Sequence, residues 1–233
     1  MAERGPAADA GLAGAWLRVH DEVLAGLNHA LSNRAAAAGA LAAITEPHEP
    51  PGEELAGALA SEAARLDALL RLFRRLPRIT PARPAPQQLA EVLPVAVQLY
   101  AYGVTRSREL PCALTVEDGL LPVLAGEDAL THALVALLFG AGRWTLAGEE
   151  GRLSARASGD GTAVQVVVEG TRTGGTPAAE RELALPAAGL AEWLLGDAGA
   201  RVVEERAAAT VRYTLTLPTL AATRSCSVSK PAG

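Results

Sequence analysis

The first third of the chain is patterned as two long helices. Residues 11–45 contain no proline and predict one helix, which the proline-rich segment 46–52 ends. A second helix is predicted over residues 53–76. Its apolar residues follow the four-then-three spacing of a coiled-coil seam, broken once at Glu62: Leu55, Leu59, Leu66, Leu69, Phe73 and Leu76. The pattern therefore predicts an antiparallel helical hairpin.

A hairpin of this kind cannot cover its own apolar stripe. Self-association of two chains into a four-helix bundle would cover it, and we expect a homodimer on this ground. Packing of the hairpin against the rest of its own chain would also cover the stripe. The sequence leaves this alternative open.

The pattern changes after a proline-broken linker at residues 77–86. Helices and short strands now alternate, and neighbouring strands often follow one another, which predicts an α+β sandwich with its helices on one face. The predicted helices are 87–102, 127–139 and 187–195, and the predicted strands are 113–116, 152–157, 163–169, 200–205 and 210–217. Residues 1–10 and 221–233 are predicted to be disordered.

Composition limits the function. A chain of 233 residues that is 49% hydrophobic can bury a sizeable core, and its net charge of −5 disfavours non-specific nucleic-acid binding. Two cysteines cannot form a disulfide scaffold or a zinc site. No apolar run reaches the roughly 18 residues of a membrane span. We expect a cytoplasmic protein with no nucleic-acid partner and no membrane partner.

His29 is the candidate for chemistry. The chain has only two asparagines, Asn28 and Asn33, and they bracket this histidine on the first predicted helix. At about 100° per residue, His29 lies opposite the leucine stripe and Asn33 lies one turn further on the same face. An exposed imidazole can act as a nucleophile, and the Asn33 amide can reach a group on its ring.

The run Leu27-Asn28-His29-Ala30-Leu31-Ser32-Asn33-Arg34 resembles the phosphoacceptor box of sensor histidine kinases, H-[E/D]-x-x-[N/T]-P. His29 matches the phosphorylated histidine and Asn33 matches the polar residue four positions later. Ala30 replaces the acidic residue and Arg34 replaces the proline. Residues 81–111, 127–143 and 187–217 resemble parts of the family's ATP-binding domain, in the same order. The resemblance implies a dimerisation and phosphotransfer hairpin over 11–80 and a degenerate kinase-type ATPase-like domain over 84–220.

The resemblance also implies that the ATP site is lost. The family's Mg²⁺-binding asparagine corresponds to Gly140, and no asparagine occurs after Asn33. The adenine-binding D-x-G-x-G motif is missing, with Glu169 at best imitating its aspartate. The final glycine box is reduced to Ala188-Gly189-Leu190-Ala191. We therefore expect no cofactor, and Mg²⁺ supplied by a partner receiver.

These features resemble bacterial histidine phosphotransferases built on a degenerate kinase scaffold. The resemblance implies a phosphorelay protein that exchanges a phosphoryl group between His29 and receiver aspartates of response regulators, with Asn33 orienting that group. We expect the receiver to dock on Arg34, Ala36, Ala37 and Ala40. Two alternatives stay open: a divergent sensor histidine kinase that retains ATP-dependent autophosphorylation, and a non-catalytic dimeric module that binds a receiver. Whether the chain is an enzyme is left open.

Overall fold

Two long antiparallel helices begin the structure, a computed structural model that describes residues 6–44, 52–76, 83–104, 110–174, 185–196 and 198–223. They are α1 (Pro6–Ala43) and α2 (Glu53–Phe73). The Arg34 side chain contacts Glu62. These residues lie equally far from the connection between the helices, as antiparallel pairing requires. The predicted hairpin is confirmed.

The ends of the hairpin differ slightly from prediction. Helix α1 begins at Pro6, inside the segment 1–10 that is predicted to be disordered, since proline suits the first turn of a helix and alanines follow it. Residues 221–223, the start of the other segment predicted to be disordered, are helical, and the Thr223 N–H donates to the carbonyl oxygen of Thr219. Residues 1–5 and 224–233 lie outside the described residues, as does most of the predicted linker.

The domain that follows is built around one five-stranded sheet. The elements of the domain are β1 (Ala85–Gln87), α3 (Leu89–Val104), β2 (Cys112–Val116), β3 (Val123–Ala125), α4 (Glu127–Leu146), β4 (Glu150–Gly159), β5 (Ala163–Thr173), α5 (Ala187–Leu195), β6 (Arg201–Ala207) and β7 (Thr210–Pro218). The strands of the sheet, in the order β2-β4-β5-β7-β6, pair antiparallel except for the parallel pair β2–β4.

Helices cover one face of this sheet. Alternate residues of β5 and β7 are buried, and Gly170 on β5 lies directly against Ala141 and Thr145 of α4. Tyr100 of α3 packs edge-on against Phe139 of α4, so α3 joins the same layer. The predicted α+β class, a helical hairpin followed by an α/β sandwich, is confirmed.

Some elements depart from the prediction. Helix α4 runs to Leu146, seven residues past the predicted end, because Gly140 and Gly142 permit close packing there instead of ending the helix. Strands β1 and β3 form a separate antiparallel pair that the sequence pattern missed. Strand β1 occupies the last part of the predicted linker. Helix α4 is long and apolar enough to cross a membrane, yet 83% of that window is buried inside the protein, as in the core helix of a globular domain.

The hairpin packs against the sheet domain through one stripe of α1. The stripe consists of Ala15, Trp16, Val19, Val23 and Leu27, all buried. The backbones of α1 and α3 approach closely at Gly26, where an added Cβ would lie 1.8 Å from the carbonyl oxygen of Tyr102 on α3. This stripe of α1 is therefore covered by the rest of its own chain, which the sequence left open as the alternative to dimerisation. Most leucines of the α2 seam remain only half-buried, and dimerisation stays a prediction.

A buried histidine lies where the hairpin meets α4. The His132 ring is 4.9 Å from the Trp16 ring, and its Nε2–H donates to the carbonyl oxygen of Arg75 at 2.8 Å. Desolvation lowers the pKa of His132 below its ordinary value, and the nearby charge of His20 acts in the same direction. The Arg75 hydrogen bond and Asp128 oppose this shift without reversing it. The folded protein therefore holds His132 neutral.

Acidification should weaken the fold through this histidine. Below about pH 6.5, His132 takes up a proton in the unfolded state that the folded state excludes. The contribution of neutral His132 to the free energy of unfolding is therefore complete above that pH and falls as the pH drops. We expect urea denaturation to show a free energy of unfolding that decreases from about pH 7 to about pH 5.5. His132→Gln keeps a hydrogen-bond donor but does not titrate, so it should flatten that slope. Equal slopes in both proteins would contradict this role.

Candidate functional site

His29 and Asn33 form a polar pair on the exposed face of α1. Both residues are exposed, and the Asn33 amide nitrogen lies 3.2 Å from His29 Nε2. An amide nitrogen can only donate, so Nε2 accepts this hydrogen bond and the ring proton is on Nδ1. In this tautomer Nε2 carries the ring's free lone pair, and that lone pair becomes available for nucleophilic attack when Asn33 releases it.

A groove of about 760 Å³ extends from His29 between α1, α2 and the end of α3. Gly26 of α1 lies against the backbone of Tyr102 on α3, so the end of α3 forms part of the groove wall. The lining residues are Gly26, His29, Ala30, Asn33, Arg34, Arg65, Ala68, Leu69 and Tyr102. The exposed His29 imidazole therefore lines a cavity with room for a side chain or ligand of a partner.

Two arginines of this groove share one buried carboxylate. Glu62 accepts from Arg34 at 3.3 Å and from Arg65, and its side chain is only 8% exposed. Desolvation raises the pKa of Glu62, but the hydrogen bond from Arg65 and the charges of both arginines outweigh it and hold that pKa below its ordinary value. Glu62 is thus ionised at neutral pH, and the break in the apolar seam of α2 is an ion-pair cluster.

Of the four residues predicted to bind a partner, one lines the groove and three lie outside it. Arg34 lines the groove with His29, whereas the three alanines are not among its lining residues. Ala36 and Ala40 are exposed and Ala37 is half-buried, so they continue along α1 beyond Asn33. Sequence reasoning missed Arg65 and Tyr102. The break at Glu62 was a signal for the ion pairs, but nothing in the sequence pointed to Tyr102.

Gly140, which the sequence resemblance matches to the Mg²⁺-binding asparagine of the kinases, is closely packed. A Cβ added there would lie 2.4 Å from the Cβ of Ala187 and 3.1 Å from the hydroxyl oxygen of Tyr213. Gly189 lies in the first turn of α5, and Leu12 of α1 is 3.8 Å from the position of its added Cβ. Side chains thus occupy the space that a metal-binding residue at position 140 would need. A Mg²⁺-binding asparagine at position 140 would therefore not fit this packing.

Glu169 does not replace the missing adenine-binding aspartate. Its neighbours Val168 and Gly170 face the helices, so Glu169 lies on the opposite, open face of the sheet. There it accepts a hydrogen bond from Arg212 Nε at 2.7 Å. The side chain that could imitate the aspartate is therefore engaged in a cross-strand ion pair, away from the helix layer.

A Gly140→Asn substitution should not create a nucleotide site. We expect it to lower the free energy of unfolding by about 1–3 kcal/mol, because the new side chain overlaps Ala187 in a packed core. Gly39→Asn, on α1 with no neighbouring atom within 4 Å, is the matched control and should change stability little. Urea denaturation and a Mg²⁺–ATP titration measure both effects. Nucleotide binding by Gly140→Asn at unchanged stability would contradict this interpretation.

Comparison with known proteins gives structural neighbours only. No protein-family model and no curated protein matches the sequence. The catalytic domain of histidine kinase ThkA is similar over 59% of this chain and 96% of its own length, at 15% identity and a TM-score of 0.47. The same kinase in complex with response regulator protein TrrA is similar over 87% of this chain and 63% of its own, at 16% identity and a TM-score of 0.45.

A bacterial phosphotransferase is also similar, over 85% of this chain and 96% of its own length, at 17% identity and a TM-score of 0.42. These neighbours belong to the protein classes that the sequence resembles. Their identities and TM-scores are low, so we base the function on the residues of the site itself.

Proposed function

We propose that this protein is a two-component phosphorelay protein, a histidine phosphotransferase that exchanges a phosphoryl group between His29 and the aspartates of response-regulator receivers. The observation that carries the proposal is the exposed His29–Asn33 pair at the edge of a groove, with His29 Nε2 held in a hydrogen bond from the Asn33 amide. The filled space at Gly140 supports a donor other than ATP.

The chemistry assigned to His29 is a direct transfer. His29 Nε2 attacks the phosphorus of a receiver acyl phosphate, the N–P bond forms as the O–P bond breaks, and the aspartate carboxylate leaves with the electron pair. Nδ1 keeps its proton during the attack. An acyl phosphate is already activated, so the reaction does not need the carboxylate that kinases place after the histidine, where this chain has Ala30. The receiver brings its own Mg²⁺, and this chain needs no cofactor.

Asn33 acts as an orienting residue in this scheme. Its amide, 3.2 Å from Nε2, must release the Nε2 lone pair before the attack and can then donate to a phosphoryl oxygen. The receiver docks over the groove at Arg34 and along Ala36, Ala37 and Ala40, where the helix surface carries only methyl groups and a receiver helix can approach closely.

We further propose that the protein works as a homodimer in the cytoplasm. Several large apolar side chains on the hairpin remain exposed, namely Leu17, Ile44 and Leu70. A second hairpin packed against the half-buried leucines of α2 would complete a four-helix bundle. The molar mass measured by light scattering tests this part of the proposal, and a monomer at micromolar concentration would contradict it.

A transfer assay tests the function. Receivers of the same genome, each labelled at its aspartate with ³²P and freed of nucleotide, are mixed with the protein. We expect label to leave at least one receiver and appear on this chain in an acid-labile form, as expected of a phosphoramidate bond. Binding of a receiver without transfer would instead favour the non-catalytic regulatory module. ATP-dependent labelling would favour the divergent kinase.

A further inference from the structure

The groove beside His29 is positively charged. Its lining, within the described residues, contains two guanidinium groups and no acidic side chain. Their shared carboxylate, Glu62, is 8% exposed, whereas the side chains of Arg34 and Arg65 are 43% and 56% exposed. One buried negative charge therefore anchors two positive charges that reach solvent, and the cluster carries a net charge of +1 toward the groove.

We propose that Arg65, together with Arg34, is the counter-charge for the phosphoryl group on His29, and that Glu62 is the positioning residue that holds both guanidinium groups at the groove. This inference rests on the proposed function. It assigns a role in the reaction to α2, a helix of the predicted dimerisation and phosphotransfer hairpin in which the sequence singled out no functional residue. It also gives a reason for the charged residue that interrupts the apolar seam of that helix.

Electrostatics explains why the site needs these charges. The phosphoryl group adds about two negative charges at neutral pH, and Asn33 contributes only a neutral amide beside it. Guanidinium groups pair with phosphate oxygens through two parallel hydrogen bonds, so one arginine can both neutralise and orient the group. A third residue must fix the guanidinium planes, since an arginine side chain is flexible. The buried carboxylate of Glu62 does this for both.

Phosphoramidate, a small donor, tests the inference without any receiver. His29 Nε2 attacks its phosphorus, the N–P bond to the ring forms, and the donor N–P bond breaks with protonation to release ammonia. The formation and decay of ³¹P-detected phosphohistidine are measured in the wild type and in Arg65→Gln. We expect Arg65→Gln to form phosphohistidine about tenfold more slowly, the effect of losing one charge-assisted hydrogen bond.

The matched control is Arg71→Gln. Arg71 lies on the same helix, is exposed and pairs with Asp67 instead of Glu62. It has the same charge and the same kind of partner, but it does not line the groove. We expect it to match the wild type, and Arg65→Lys to recover part of the rate because the charge returns without the fork geometry. Glu62→Gln should also slow the reaction, because both arginines stay in the chain but lose the carboxylate that positions them.

The outcomes separate this inference from the proposed function. Equal rates for Arg65→Gln and Arg71→Gln, with His29 still labelled by receivers, would overturn the role of Arg65 and leave the phosphotransfer intact. Failure of phosphoramidate to label the wild-type protein would also overturn the inference. A His29 that phosphoramidate labels but receivers do not would refute the function while the counter-charge stands. Thermal melts of each variant exclude unfolding as the cause of a slow rate.

Discussion

A His29→Gln variant is expected to accept no phosphoryl group from a labelled receiver. Glutamine keeps a polar side chain of similar reach on the exposed face of α1, but its amide nitrogen has no nucleophilic lone pair. We expect transfer to fall by about 10³-fold or more, since removal of a nucleophile abolishes the covalent step. Acid-labile label on this chain, followed over time, measures the loss.

His20→Gln is the control for this experiment. His20 lies on the same helix and is half-buried near the Trp16 ring, outside the groove. Its replacement should leave the transfer rate unchanged, which separates the loss of one imidazole from the loss of a helix. Label on His29→Gln at the wild-type level would mean that another residue accepts the phosphoryl group, and the proposal would fail.

A Gly26→Ala variant is expected to lose a large part of the stability of the fold. Its Cβ would lie 1.8 Å from a backbone oxygen of Tyr102, and a backbone atom between two packed helices cannot move aside as a side-chain tip can. The helices α1 and α3 would have to separate, which we expect to cost about 3 kcal/mol. Urea denaturation followed by circular dichroism measures the change.

Gly14→Ala makes the same chemical change as Gly26→Ala, but we expect it to affect the stability of the fold in the opposite direction. Gly14 also lies inside α1, and no atom is within 4 Å of its added Cβ. Because alanine favours a helix over glycine by about 1 kcal/mol, this variant should be as stable as the wild type or more stable. If Gly26→Ala were equally harmless, α1 would not pack against α3 as closely as described.

Periodicity predicted the elements well where one face of each is buried. The apolar run from Ala187 to Leu195 predicted its helix to the residue, and α2 begins at Glu53 as predicted but ends at Phe73, three residues before the predicted end. It failed where tertiary contacts decide. Strand β1 contains Pro86 and forms because β3 pairs with it. Helix α4 continues through Gly140 and Gly142 because these glycines pack against Ala187 and Tyr100, respectively.

The candidate site was predictable only as far as local geometry reaches. The spacing of His29 and Asn33 places them one turn apart on a helix, and the structure puts their side chains 3.2 Å apart. The groove depends on how α2 and α3 pack beside α1, which no local pattern specifies. Arg65 therefore became a candidate only once its ion pair with Glu62 was visible.

The central claim is that His29 receives its phosphoryl group from a receiver and not from ATP. The direct measurement supplies this chain with two donors in parallel, [γ-³²P]ATP with Mg²⁺ and a ³²P-labelled receiver without nucleotide. A digest at neutral pH then locates the label. Our account predicts label on His29 from the receiver and none from ATP. Label from ATP, or label on a residue other than His29, would contradict it.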